Sequence, residues 1–138
     1  MDFPEAEYLA LRKSGSAMIR GRAFLKAPDG GVKTAAGNQV VLNPVTSYST
    51  EWYEKSYLRG LQMQDADPRL LAYLRTQVAD GGGRFVFRNV PAGEYFITTE
   101  VRWKAPAGNQ GALQVHGGVI TKRIKVSAGK TIEVALTK

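Results

Sequence analysis

The chain contains no cysteine and a single histidine, His116, among its 138 residues. The first absence excludes disulfides, thiol nucleophiles and thiolate metal sites. The second leaves one imidazole for any general-base chemistry. No stretch approaches the ~18–20 apolar residues that a spanning helix needs. Met1-Asp2-Phe3-Pro4-Glu5 also has neither the basic start nor the apolar run of an export signal. Internal repeats and low-complexity tracts are missing too. Acids are outnumbered by bases, 12 against 19, giving a net charge of +7 that favours contact with anionic surfaces. The basic residues are spread along the whole chain. An apolar fraction of 43% and a charged fraction of 22% are those of an ordinary soluble domain able to bury a core without staples.

Within that frame, residues 4–13 place acids first and bases last, which suits a short helix ended by Gly15. From Ala17 to Leu25 the period of two predicts a half-buried strand. Turn residues over 27–38 then lead to a second strand at Val40-Val41-Leu42, stopped by Pro44, and the two strands read as a hairpin-like pair. Residues 46–75 break the pattern. Ser49 or Thr50 is expected to cap a helix beginning at Glu51-Trp52, and Asp67-Pro68 to open another through Leu70, Leu71 and Leu74. Alternation returns at 76–79, 84–88, 95–104, 119–126 and 131–136, separated by Gly-rich, Asn and Pro turns. Seven or so short strands imply a sandwich. Its expected core is Ile19, Val40, Leu42, Phe85, Phe87, Tyr95, Ile97, Val101, Ile132, Val134 and Leu136. The chain thus divides into an N-terminal helix or tether (1–16) and one sandwich domain (17–138) carrying an insertion at 46–75.

The run from Thr76 to Tyr95 contains Asp80-Gly81-Gly82-Gly83, Phe85-Val86-Phe87 and Val90-Pro91-Ala92-Gly93-Glu94-Tyr95. It resembles the signature of carboxypeptidase regulatory-like domains, a transthyretin-like (prealbumin-like) β-sandwich family. Asp80 and the glycines read as a tight hairpin. Upstream, 19–23 and 37–42 look like that family's first two strands, so the resemblance covers about two thirds of the chain. It implies an all-β, seven- to eight-stranded Greek-key sandwich that binds or scaffolds and catalyses nothing, because such domains are accessory, spacer and adhesive modules of bacterial envelope proteins. Two relatives of defined chemistry do not fit. Hydroxyisourate hydrolases use several histidines and a Tyr-Arg-Gly-Ser ending, whereas this chain has one histidine and ends Ala135-Leu136-Thr137-Lys138. Isopeptide-forming adhesin domains need an Asn or Asp in the last strand, and 132–138 has neither.

Catalytic and metal chemistry has little to work with. His116 is expected at a hairpin tip, where a base is poorly held. The pairs Glu51/Glu54 and Asp65/Asp67 read as solvated acids or helix caps. Gly81-Gly82-Gly83 lacks the Lys-Ser/Thr of a phosphate loop. No cofactor or metal is expected. The basic strand positions Arg20, Arg22, Lys26, Arg102, Lys104, Arg123 and Lys125 should point outward, onto a common sheet face. Nucleic acid is disfavoured because Phe24 is the only stacking aromatic among outward strand residues.

The densest functional signal is the segment 48–57, with four aromatics in ten residues outside the β framework. Tyr48, Trp52, Tyr53, Tyr57 and Arg59 are the candidate contacts for a protein or glycan partner. The competing reading has these rings covering an open end of the sandwich. The expected function is a non-catalytic envelope module, periplasmic or outer-membrane, with its signal or lipid anchor upstream and a cytoplasmic location as the alternative. An accessory lipoprotein of a secretion or surface assembly is the second reading, and a hydrolase using His116 the third.

Overall fold

The computed structural model describes residues 1–106 and 111–138. Among the described residues eight strands form two sheets packed face to face, an all-β sandwich. β1 (Ala17–Lys26) is central to the first sheet. It is flanked by β5 (Arg84–Val90) in antiparallel register and by β8 (Thr131–Leu136) in parallel, and its C-terminal end pairs with the short β2 (Val32–Thr34). The second sheet is antiparallel, in the order β4 (Arg75–Val78), β3 (Gln39–Pro44), β6 (Gly93–Pro106), β7 (Leu113–Val126). Residues 107–110, between β6 and β7, lie outside the described residues.

Period-two alternation drives this arrangement, since each strand must bury one face and wet the other. Ten of the expected core residues are buried between the sheets, and Ile132 packs against them half-buried. Trp103 closes the rim of the same cluster. Tyr95 is anchored beyond its packing, because its hydroxyl donates to the Pro91 carbonyl at 2.6 Å and ties down the turn over Pro91–Glu94.

Several local expectations are corrected by the pairing. β1 and β3 are not a hairpin, because β1 belongs to the first sheet and β3 to the second. The Asp80 turn likewise passes between sheets: β4 pairs with β3 and β5 with β1. Asp80 still organises it, its carboxylate accepting from the Gly82 and Arg84 amides at 2.9 and 2.8 Å. The first helix, α1 (Glu5–Leu9), ends at Ala10, well before Gly15. The basic strand positions divide between two outer faces, Arg20, Arg22 and Lys26 on the first sheet and Arg102, Lys104, Arg123 and Lys125 on the second. Phe24 is half-buried, with the Arg22 guanidinium 5.4 Å above its ring.

His116 is not at a tip. It lies inside β7 opposite Trp103, the two rings stacked at 5.8 Å, and its Nε2 is buried without a hydrogen-bond partner. Gly117 permits this extension of the strand. With φ at +93°, it adopts a conformation open to glycine, and a Cβ there would meet the Val101 carbonyl at 2.0 Å.

The tightest approach in the first sheet is at Gly21, between β5 and β8. A Cβ there would come within 2.1 Å of the Val134 carbonyl oxygen and 3.0 Å of the Phe85 ring. Because the nearest atom belongs to the backbone, Gly21→Ala should cost about 2–3 kcal/mol or more. Urea denaturation measures this, and wild-type stability in the variant would show that β1 can slide away from β8.

Candidate functional site

The insertion between β3 and β4 is built on a cap. Thr46 ends the extended chain and opens helix α2 (Ser47–Trp52): its hydroxyl accepts from the Ser49 amide at 3.1 Å, and the Ser49 hydroxyl accepts from the Thr46 amide at 2.8 Å. This reciprocal arrangement satisfies donors that a helix start leaves free. The cap is therefore Thr46, with Ser49 as its answering residue, rather than Ser49 or Thr50. Sequence reasoning missed it because the stretch Thr46-Ser47-Tyr48-Ser49-Thr50 offers four hydroxyl-bearing candidates in five positions.

The N-terminal segment locks the cap from outside. The Tyr8 and Thr46 hydroxyls are 2.8 Å apart in a buried setting. The Glu7 carboxylate accepts from the Ser47 amide and hydroxyl at 2.7 and 2.6 Å, placing an anion at the helix start. Around this joint Phe3, Tyr8 and Leu70 form a satellite core, against which Leu11, Tyr48, Tyr73 and Leu74 pack. Tyr48 meets Phe3 edge-on at 5.5 Å, and its hydroxyl accepts from the Asp67 amide at 2.8 Å. Tyr48 is thus committed to structure. Asp67 caps the 3₁₀ helix Pro68–Tyr73 and pairs with Arg69 at 2.9 Å. Those contacts hold its carboxyl below the usual range, and Asp67 is a helix cap.

Beyond α2 the chain widens into a π-helical segment, Tyr53–Leu58. In an α-helix positions i and i+5 diverge, whereas the wider turn brings them together. Trp52 and Tyr57, five residues apart, consequently stack at 6.4 Å; Tyr53 and Tyr57, four apart, stack at 5.6 Å, and Tyr53 lies on Phe96 of β6 at 4.6 Å, all within 26° of parallel. Phe96 points away from the main core and is nonetheless fully buried, because this ladder roofs it. Charged groups border the ladder. Arg123 sits 5.9 Å from the Phe96 ring and bonds Glu94 through Nε at 2.9 Å, which holds the Glu94 carboxyl low. Lys55 pairs with Glu51 at 2.7 Å, lowering that carboxyl, and the Lys138 ammonium stands 5.5 Å from the Tyr57 ring.

The five candidate contacts therefore do not form one patch. Tyr48 belongs to the satellite core and Tyr53 is the layer that covers Phe96. Trp52 and Tyr57 are half-buried outer rings, and Arg59 is exposed just beyond them. Phe96 and Arg123 join the site although no local pattern announced them. Their signal was an apolar and a basic residue directly opposite each other on the outer face of β6 and β7.

Across its full length the chain matches the crystal structure of a protein from Pseudomonas aeruginosa named as a "putative carbohydrate binding protein". The identity is 34%, the TM-score 0.88, and the match covers 100% of this chain and 99% of the other. The chain belongs to the family of that Pseudomonas protein. No family model matches the sequence, and no curated protein does so either. Among the described residues no group of three or more His, Asp or Glu side chains could hold a metal ion.

Burial raises the phenol pKa of both Tyr8 and Tyr95, partly offset at Tyr8 by the Thr46 hydrogen bond. A raised folded-state pKa means stability that is fully present below the unfolded value, about 10, and lost as pH climbs through the folded values. Tyr8→Phe should cost about 1 kcal/mol at neutral pH through the lost Thr46 contact. It should also flatten the fall in stability above pH ~10. Chemical denaturation between pH 8 and 11 tests both, and an unchanged alkaline slope would deny Tyr8 any part in it.

Proposed function

We propose that this protein is a non-catalytic glycan-binding module of the bacterial cell envelope, with Trp52 and Tyr57 as its sugar platform. The observation that carries the reading is the full-length likeness to the Pseudomonas protein named for carbohydrate binding. The chemistry agrees with it. A sugar ring has an apolar C–H face and a rim of hydroxyls, so it suits an aromatic surface flanked by charged hydrogen-bonding groups. Trp52 and Tyr57 supply that surface, with Lys55, Glu51 and Arg59 close in sequence on the same helical segment.

The same reading places the chain among transthyretin-like Greek-key sandwiches of the carboxypeptidase regulatory-like type. The ordered Asp80 turn and the Tyr95 bond across the Pro91–Glu94 turn support it, since these are the motifs that carry the resemblance. An envelope location follows from that resemblance. Intact-mass analysis of the native protein from membrane and soluble fractions tests it, and an unprocessed cytosolic form would overturn it. That the module catalyses nothing is an implication of the same resemblance.

The decisive experiment is calorimetric titration with a panel of oligosaccharides. Trp52→Ala with Tyr57→Ala should weaken binding by about 30-fold or more, the loss typical of central aromatic contacts. Tyr53→Ala is the structural contrast, expected to cost about 2 kcal/mol of stability by unroofing Phe96. A panel with no binder, or a double variant that binds like wild type, would remove the platform from consideration.

A further inference from the structure

The outer face of the first sheet carries four arginines on two adjacent strands, Arg20 and Arg22 on β1, Arg84 and Arg88 on β5. Their inward neighbours Ile19, Phe85 and Phe87 occupy the core, so alternation turns all four away from it. Arg22 and Arg84 stand directly opposite each other, and Arg20 faces Val86. At strand spacings, such positions are ~5 Å apart across the sheet and ~7 Å apart along it. Like charges directly opposite one another oppose pairing.

Counter-charge on this face is sparse. Glu133 of β8 bridges Arg20 at 2.6 Å. Asp80, at the edge, spends its carboxylate on the backbone amides of its own turn. Among the described residues Arg84 and Arg88 have no carboxylate within ion-pair distance. Arg22 is held in place, its Nε donating to the Gly82 carbonyl at 2.8 Å and its guanidinium lying over Phe24. Arg20, Arg22 and Arg84 line a shallow groove of about 510 Å³ together with Val86, Glu133 and Ala135, and Arg88 lies outside it on β5, in a second depression with Arg84 and Asp80.

We propose that this face is a second docking surface, for an acidic polysaccharide that lays its anionic groups across the arginines. The inference rests on the glycan-binding reading and goes beyond it by naming the charge class of the polymer and a site remote from the aromatic ladder. Charge complementarity selects the occupant: guanidinium forks match carboxylates and phosphates two bonds at a time, which scattered lysines do not. A polymer is favoured over an isolated anion because the four charges spread over two strands. A membrane surface fits less well, because the aromatic of this face, Phe24, is half-buried under Arg22 and offers nothing to insert.

The test is titration of the full chain with polygalacturonate and with the same polymer after reduction of its carboxyl groups, at low and at physiological salt. Polygalacturonate should bind and the reduced polymer should bind far less, with affinity falling as salt rises. Arg84→Gln with Arg88→Gln should weaken that binding roughly 2- to 30-fold, the loss of two exposed ionic contacts, while the melting temperature stays at or above wild type. Trp52→Ala with Tyr57→Ala should leave the carboxylate-dependent part intact. Equal binding of both polymers, or a loss confined to the Trp52/Tyr57 variant, would overturn the arginine surface and leave the glycan-binding reading standing. Equal capture by polyglutamate, or by phosphatidylglycerol vesicles, would overturn the assignment to a polysaccharide. No binding of either polymer, alongside a binder in the neutral oligosaccharide panel, would do the same.

Discussion

Phe96 faces away from the core of the sandwich, yet it is fully out of water because Tyr53 lies against it at 4.6 Å. A phenyl ring left exposed at that point would forgo roughly 2–3 kcal/mol of burial. The second sheet therefore needs a roof there, and much of the architecture outside the strands supplies it. The insertion leaves the end of β3, turns into α2, and widens into a π-helix whose Tyr53 covers Phe96 of β6. Tyr57 stacks on Tyr53 and the wider turn brings Trp52 onto Tyr57, so a ring buried for stability becomes the base of a stack whose outer members meet solvent. Structural cover and the proposed sugar platform are consecutive layers of one stack.

That roof is fixed at its start by hydroxyl chemistry. Thr46, Ser49 and Tyr8 share a buried network, and Ser49 also donates to the Pro44 carbonyl at 2.8 Å. Buried hydroxyls of this kind stabilise only when each has a partner, since an orphaned one costs more than a made bond returns. The N-terminal segment is consequently part of the site's support. Phe3 and Tyr8 complete the satellite core, and Glu7 neutralises the start of α2. Loosening α1 would loosen the first turn of the helix that positions the ladder.

The strands and main core were legible because they depend on period-two alternation, which each segment carries in itself. Pairing was less so. β1 and β3 are neighbours in sequence with a turn between them, and nothing local states that the chain changes sheet there. The same limit hid the crossover at Asp80, whose turn chemistry would serve a hairpin equally well. β2 escaped notice because three residues show no period. The first half of β7 escaped because Gly117 and Gly118 read as a loop, whereas glycine there relieves a contact with Val101. The aromatic segment was recognised, but its division into roof, platform and satellite core was not. That division depends on Phe96, 43 positions beyond Tyr53, and on a helix wider than sequence periodicity assumes.

The two outer faces spend their charge differently, and that difference follows from what lies beside it. On the second sheet Glu94 and Glu100 sit next to Arg123 and Arg102, so neighbouring residues neutralise one another locally. On the first sheet the arginines stand beside one another, with Glu133 paired to Arg20 and Asp80 at the edge acting on Arg84 only through space. The arrangement is tolerated because the guanidinia remain largely in water, where repulsion between exposed charges is weak and salt weakens it further. It costs the core nothing, since Ile19, Phe85 and Phe87 on the reverse of the same strands pack undisturbed. A polyanion laid on that face would meet charges already aligned by the strands, and the repulsion relieved on contact would add to the attraction gained. A sheet that presents like charges in register is thus prepared for a repeating anionic partner, in a way that the same residues scattered over loops would not be.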